Sequence, residues 1–174
     1  IASSRSIYGE GKYECEKCDI VYPNERKDVD MGKGDFAVKC PTCGANVKIL
    51  PTDEESEIHP SSIYGITKQQ QEQMTLLMGK SLGIPAVALR YQNVYGPGQS
   101  LSNPYTGILS IFSTRIKNGN DIAIFEDGKE SRDFIYIDDV VDATILGIEN
   151  YEANYEVFNV GLGKAINVMT VANE

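Results

Sequence analysis

Tyr64 and Lys68 stand four residues apart in the stretch Tyr64-Gly65-Ile66-Thr67-Lys68. On a helix that spacing puts both side chains on one face. A free phenol ionises near pH ~10, and an ammonium held beside it favours the phenolate. Such a pair can take a proton from a hydroxyl, or return one, near neutral pH. Taken alone, the spacing describes an ordinary surface tyrosine and surface lysine more often than a base. Its meaning depends on the rest of the chain.

The four cysteines make a second constellation. Cys15-Glu-Lys-Cys18 and Cys40-Pro-Thr-Cys43 are two C-x-x-C pairs with 21 residues between them. This spacing suits a tetrahedral four-cysteine zinc site, each pair supplying one knuckle. Sulfur fills every position, so the metal has no place for water or substrate and is structural. It would stabilise a segment of about 40 residues that is too small to hold itself by burial. Two disulfides or a redox dithiol compete with this reading. Nothing suggests secretion, however, and a redox site has no need of two matched pairs. Zinc ribbons often bind nucleic acid, but residues 10–53 hold seven Lys/Arg against nine Asp/Glu and have no basic stripe. His59 lies outside the knuckles and reads as a loop residue.

The elements that must position these groups alternate between helix and strand. Ala2-Ser3-Ser4 reads as the end of a buried strand running into a turn. Phe36–Lys39 and Asn46–Leu50 read as short strands, and residues 51–61 as a polar linker. Ser61 or Ser62 can cap a helix that runs to Leu82, where Gly83 and Pro85 end it. Met74, Leu77, Met78 and Leu82 form its apolar stripe. Ala86–Leu89 is an apolar run suited to a buried parallel strand. A turn at Tyr95–Gly98 precedes a helix from Thr106 to Lys117. Strands are expected at Ile122–Phe125 and Phe134–Ile137, then a helix capped by Asp138 or Asp139 reaching Glu149, then a strand at Glu156–Val160. Val168–Glu174 reads as the first turns of one more helix. The alternation implies an α/β fold with a mostly parallel sheet.

The 174 residues carry a net charge of −9, which argues against a nucleic-acid partner. No apolar run approaches the roughly 20 residues that span a bilayer, so no membrane partner is expected. Between its first residues and its last, the chain reads as an internal piece of a longer protein.

Outside the cysteine segment the chain resembles the extended short-chain dehydrogenase/reductase family, and within it the nucleotide-sugar epimerases and dehydratases. Four ordered motifs carry the resemblance. They are Ala2-Ser-Ser-Arg-Ser-Ile-Tyr-Gly9, Tyr64-Gly-Ile-Thr-Lys68, Leu89-Arg-Tyr-Gln-Asn-Val-Tyr-Gly-Pro-Gly-Gln99 and Ser131-Arg-Asp-Phe-Ile-Tyr-Ile-Asp-Asp139. The resemblance implies a Rossmann-like parallel-sheet domain with part of a substrate-binding domain, and NAD as cofactor. The cysteine segment adds a small zinc-ribbon-like β module and a structural zinc held by Cys15, Cys18, Cys40 and Cys43.

The same resemblance assigns roles. Tyr64 is the general base and acid, Lys68 supports it and holds the nicotinamide ribose, and Ser4 hydrogen-bonds the reacting sugar oxygen. Tyr91 packs near the nicotinamide, and Asn93 and Arg132 meet the substrate diphosphate. A nucleotide-diphosphate sugar is the implied substrate and a cytoplasmic homodimer the implied assembly. Arg5 and Ser6 stand where 4,6-dehydratases of this family carry an Asp-Glu pair, which favours a 4-epimerase over a dehydratase. The cysteine insert, together with Tyr91–Gln99 and Ser102–Gly107, resembles the dTDP-L-rhamnose 4-epimerase branch. A reductase or decarboxylase of the same family is the alternative. Outside the family, the rival is a non-catalytic zinc-stabilised binding module.

Two departures qualify the resemblance. The family's serine precedes its tyrosine by roughly 25 residues, against 60 here; removing roughly 35 between Gly11 and Pro51 restores the distance, as tolerated loop insertions allow. The expected organisation is therefore a strand end and serine loop at 1–11, an inserted cysteine module at 12–50, the Tyr-x-x-x-Lys helix and following strand at 51–100, and a partial substrate-binding domain at 101–174. The second departure is that no G-x-x-G-x-x-G or G-x-G-x-x-G turn occurs in the chain.

Overall fold

The computed structural model describes residues 1–101 and 107–174. In chain order its elements are β1 (Ala2–Ser4), a 3₁₀ turn (Arg5–Tyr8), β2 (Tyr13–Cys15), β3 (Asp19–Val21), α1 (Asp28–Met31) and β4 (Lys48–Ile49). They continue with α2 (Ile63–Leu82), β5 (Ala88–Tyr91), β6 (Asn93–Tyr95), α3 (Ile108–Lys117), β7 (Ser131–Tyr136) and α4 (Ile137–Glu149). A second 3₁₀ turn (Tyr151–Ala153), β8 (Val157–Val160), β9 (Ala165–Asn167) and α5 (Val168–Asn173) complete the order. The chain forms two compact units, residues 1–90 with 150–159, and residues 91–149 with 160–174.

The first unit is built on a sheet with β5 between β1 and β8. Ile1 donates to Val87 O at 2.6 Å and accepts from Leu89 N at 3.0 Å, the slanted pattern of a parallel pair. Ala88, Leu89 and Arg90 are all buried, as expected for a central parallel strand. α2 packs on β1 and on the 3₁₀ turn that follows it. Ser62 Oγ caps α2 by accepting from Gly65 N at 3.0 Å, and Gly83, at φ 67°, ends it in the left-handed region.

The cysteine segment has its own small sheet, with β2 between β3 and β4 and both pairs antiparallel. Tyr13, Cys15, Val21 and Cys40 form its core.

The second unit carries β7 between β6 and β9, parallel to β6 and antiparallel to β9. α4 follows β7 directly, so Asp138 and Asp139 occupy its first turn rather than a cap position. There their charges suit the helix N-terminus. Among the described residues no helix is long and apolar enough to cross a membrane.

Met74, Leu77, Met78 and Leu82 form the expected apolar stripe of α2, and within this chain they are 53–65% exposed. The buried residues of the helix are Gly65, Glu72 and Gly79, every second turn along one face. A Cβ on Gly65 would stand 2.6 Å from Ser6 O, and one on Gly79 would stand 2.8 Å from Ala86 Cβ. On this face α2 lies close to the serine turn and to Ala86, which leaves room only for small residues there, and Glu72 is held by Arg90.

Residues 122–125 form no strand. Phe125 is 82% exposed, and β propensity acts only where a half-buried surface is available. Phe36–Lys39 contributes only the isolated antiparallel bridge Lys39–Asn46. Ser102–Thr106, which include the expected start of the second helix and most of the Ser102–Gly107 motif, lie outside the described residues.

Candidate active site

β1 delivers Ser4 to the start of the 3₁₀ turn. Ser4 Oγ accepts from Ser6 N at 3.2 Å and from Ser6 Oγ at 2.9 Å. Both bonds use its lone pairs, which leaves its O–H to donate outward. The close approach at Gly65 brings the first turn of α2 against this serine turn. Tyr64 lies in that first turn and is 56% exposed. One helical turn later Lys68 Nζ lies 5.9 Å from the Tyr64 ring centroid and donates to Ala2 O at 3.1 Å. The structure thus brings Ser4's turn, Tyr64 and Lys68 together where α2 meets the end of β1.

Beneath them lies a buried polar network that the sequence reading missed. Arg90 grips Glu72 with Nη2 to Oε1 at 2.6 Å and Nε to Oε2 at 3.1 Å. Ser3 Oγ donates to Glu72 Oε2, and Arg90 Nη1 donates to Tyr8 Oη, both at 2.5 Å. Tyr8 Oη donates in turn to Asn159 Oδ1 at 2.9 Å. Burial pushes the Tyr8 phenol above its ordinary value, and Arg90 opposes the rise. Burial alone would lower the Arg90 guanidinium, but Glu72 and Tyr8 more than reverse it. The available signals were a glutamate one turn beyond Lys68 and an arginine inside an apolar strand.

In the second unit, Asn93 and Arg132 line one cavity of about 230 Å³, together with Tyr95, Glu130 and Phe134. Asn93 Nδ2 donates to Asp133 O at 3.2 Å. Arg132 is paired with Glu130, also on the cavity wall. Tyr91 does not line this cavity; its hydroxyl is bonded to Thr144 Oγ1 at 2.8 Å.

The four cysteine Sγ atoms lie within 4.8 Å of one another. Zinc–sulfur bonds of about 2.3 Å give tetrahedron edges near ~3.8 Å, so the donor set fits such an ion. Tight turns form both knuckles: Cys18 N donates to Cys15 O at 3.2 Å, and Gly44 N to Cys40 O at 2.9 Å. The amides of Cys43 and Thr42 pull Cys40 down to about 6, while the hydrogen bond to Cys43 and burial push Cys18 up to about 12. Thiols this close cannot all ionise unless a cation joins them.

The segment is fastened at its neck. Leu50 N donates to Lys12 O at 2.9 Å, Lys12 N to Thr52 Oγ1 at 3.1 Å, and Lys12 Nζ pairs with Asp53 at 2.8 Å.

Residues 39–161 match the model of the NAD dependent epimerase/dehydratase family. A curated dTDP-L-rhamnose 4-epimerase of Burkholderia thailandensis is 36% identical over 175 residues, covering 99% of this chain and 46% of that protein. A UDP-N-acetylglucosamine 4-epimerase from Methanobrevibacter ruminantium, solved with UDP-N-acetylmuramic acid, superposes with a TM-score of 0.74 at 29% identity, over 99% of this chain and 44% of its own. A UDP-glucose 4-epimerase from Thermotoga maritima, solved with UDP-glucose, gives a TM-score of 0.68 at 39% identity, over 74% of this chain and 40% of its own. The chain therefore spans less than half the length of these relatives. The family match and the α/β architecture agree: the chain belongs to the NAD dependent epimerase/dehydratase family.

Proposed function

We propose that this chain carries the reacting side chains of an NAD-dependent nucleotide-sugar 4-epimerase that takes a dTDP-hexose. The observation that carries the reading is the convergence of Ser4's turn, Tyr64 and Lys68 at the point where Gly65 lets α2 touch Ser6 O. Tyr64 takes the proton from the sugar 4-hydroxyl and later returns it. Ser4 donates its O–H to the same oxygen as negative charge develops there. Lys68 Nζ lies 5.9 Å from the Tyr64 ring centroid. It spends one of three N–H donors on Ala2 O, and the others suit ribose hydroxyls of NAD. NAD, when bound, supplies the hydride acceptor that no side chain can provide. Tyr91 flanks the nicotinamide in this reading.

Asn93 and Arg132 hold the substrate diphosphate, Arg132 by charge-assisted bonds that replace its pairing with Glu130. Dehydration is disfavoured because Arg5 and Ser6 replace the acid pair it requires, and Arg5 Nη2 is already bonded to Gly9 O at 3.0 Å. Residues 12–50 are an insert held by a structural zinc on Cys15, Cys18, Cys40 and Cys43. The test is incubation of the full-length protein with NAD and dTDP- or UDP-hexoses, with inversion at C4 followed by NMR. A product of changed oxidation state or lost CO₂ makes it a reductase or decarboxylase instead. Turnover unaffected by Tyr64→Phe removes the assigned base.

A further inference from the structure

α2 is tied to β1 at two consecutive strand residues. Lys68 Nζ bonds Ala2 O at 3.1 Å, and Glu72, one turn later, accepts from Ser3 Oγ at 2.5 Å. Ser3 is the residue directly before Ser4. At the far end of the 3₁₀ turn, Tyr8 Oη receives Arg90 Nη1 at 2.5 Å, and Arg90 in turn holds Glu72 through both its Nε and Nη2. One carboxylate therefore suspends both ends of the turn that presents Ser4. Glu72 is 3% exposed and Arg90 4%. A buried pair of this kind adds little net stability over an apolar pair of similar volume. Its directional bonds do fix distance and angle, which matters most where two reacting groups come from different elements.

We propose that Glu72 is a positioning residue. Through Ser3 on one side and Arg90–Tyr8 on the other, it sets the Ser4 turn against the helix that carries Tyr64 and Lys68. The proposal rests on the reading of those three as the reacting group. Ser3→Ala in the full-length protein is the cleanest test, because it cuts the tie to β1 and leaves the Glu72–Arg90 pair intact. The expected result is a fall in kcat of about 10-fold or more with KM within about 2-fold and the thermal midpoint nearly unchanged. Glu72→Gln lowers kcat further, and the double variant is no worse than Glu72→Gln alone.

A crystal structure of Ser3→Ala supplies an arm independent of turnover: Ser4 is displaced from Tyr64 by about 0.5 Å or more. Wild-type kcat in Ser3→Ala, or a variant structure with Ser4 and Tyr64 in their original relation, overturns the proposal. If the wild type inverts no nucleotide sugar, the functional reading falls, and the crystallographic arm still decides whether Glu72 positions the turn.

Discussion

Gly65→Ala tests the site with a single methyl group. The added Cβ would lie 2.6 Å from Ser6 O, 3.1 Å from Pro60 Cβ and 3.2 Å from Ser62 Oγ. An ordinary C···O contact is about 3.3 Å, so the start of α2 and the serine turn must separate by about 0.7 Å. The obstacle is backbone oxygen, which cannot swing away as a side chain can. Alanine gains about 1 kcal/mol of helix propensity over glycine, while forced overpacking costs about 1–3 kcal/mol, so net stability changes by about 0–2 kcal/mol. The effect on chemistry is larger, because a misplacement of about 1 Å can cost about 100-fold. The expected outcome is a kcat reduced by about 10–100-fold with KM changed little, and a thermal midpoint lowered by a few degrees. Steady-state kinetics and thermal unfolding of the full-length protein measure both. A variant with wild-type kcat would mean that the distance between Ser4 and Tyr64 does not limit the reaction, and the reasoning from close approach would be wrong.

Elemental analysis should give one zinc per chain, and a strong chelator should abolish the NMR signals of the folded β2–β3 hairpin; a metal-free protein with that hairpin intact contradicts the knuckle reading. Arg132→Ala should raise KM for a nucleotide-diphosphate sugar by about 10–100-fold with kcat little changed, the value of a charged hydrogen bond. Glu130→Gln should lower KM, because Glu130 competes for the same guanidinium. The hydrogen bond from Lys12, followed by that from Ser56, holds the Asp53 carboxyl below its ordinary value. The stabilisation of the neck is then complete above the unfolded value near ~3.9 and is lost as pH falls through the lowered folded value. Amide exchange at Leu50 should speed up over that acid range, and Lys12→Met should remove most of the dependence.

What could be read from the sequence divides along physical lines. α2 was bounded within a residue because its ends are local chemistry: a serine cap and a left-handed glycine. The cysteine cluster was legible because metal-ligand spacing is also local. The buried face of α2 was not legible, since hydrophobic periodicity assumes that large apolar residues mark the seam. Within this chain the buried residues of α2 are Gly65, Glu72 and Gly79, while the apolar stripe of Met74, Leu77, Met78 and Leu82 is exposed. A helix pressed against backbone selects for small residues, and a charge survives there only if a partner from another element reaches it. Arg90 is that partner, 18 residues away in sequence, and no local pattern announces it. The strand expected at 122–125 is absent, and Phe125 within it is 82% exposed. Asn93 and Arg132, which the family resemblance names together, line one cavity in the second unit.

Residues 12–50 stand between Ser4 and Tyr64 in the sequence, and the neck brings the two ends of that segment together. Lys12 and Leu50 are joined by one backbone hydrogen bond, so the segment leaves and re-enters almost at the same point. The surrounding loop then needs to close only a short gap, whatever the length of the segment beyond it. The returning strand of the neck does not hang free. Asn159 Nδ2 donates to Thr52 O at 3.1 Å and Asn159 N to Glu54 Oε1 at 2.6 Å, while Arg90 Nη1 donates to Glu54 O at 3.2 Å. Arg90 and Asn159 are also the partners of Tyr8 at the end of the serine turn. The anchor of the cysteine segment and the support of Ser4 are therefore one network. A segment attached this way is tied to the serine turn through Arg90 and Asn159, and also through His59, whose ring bonds Asn24 Oδ1 at 3.2 Å and whose backbone N–H donates to Ile7 O at 2.9 Å.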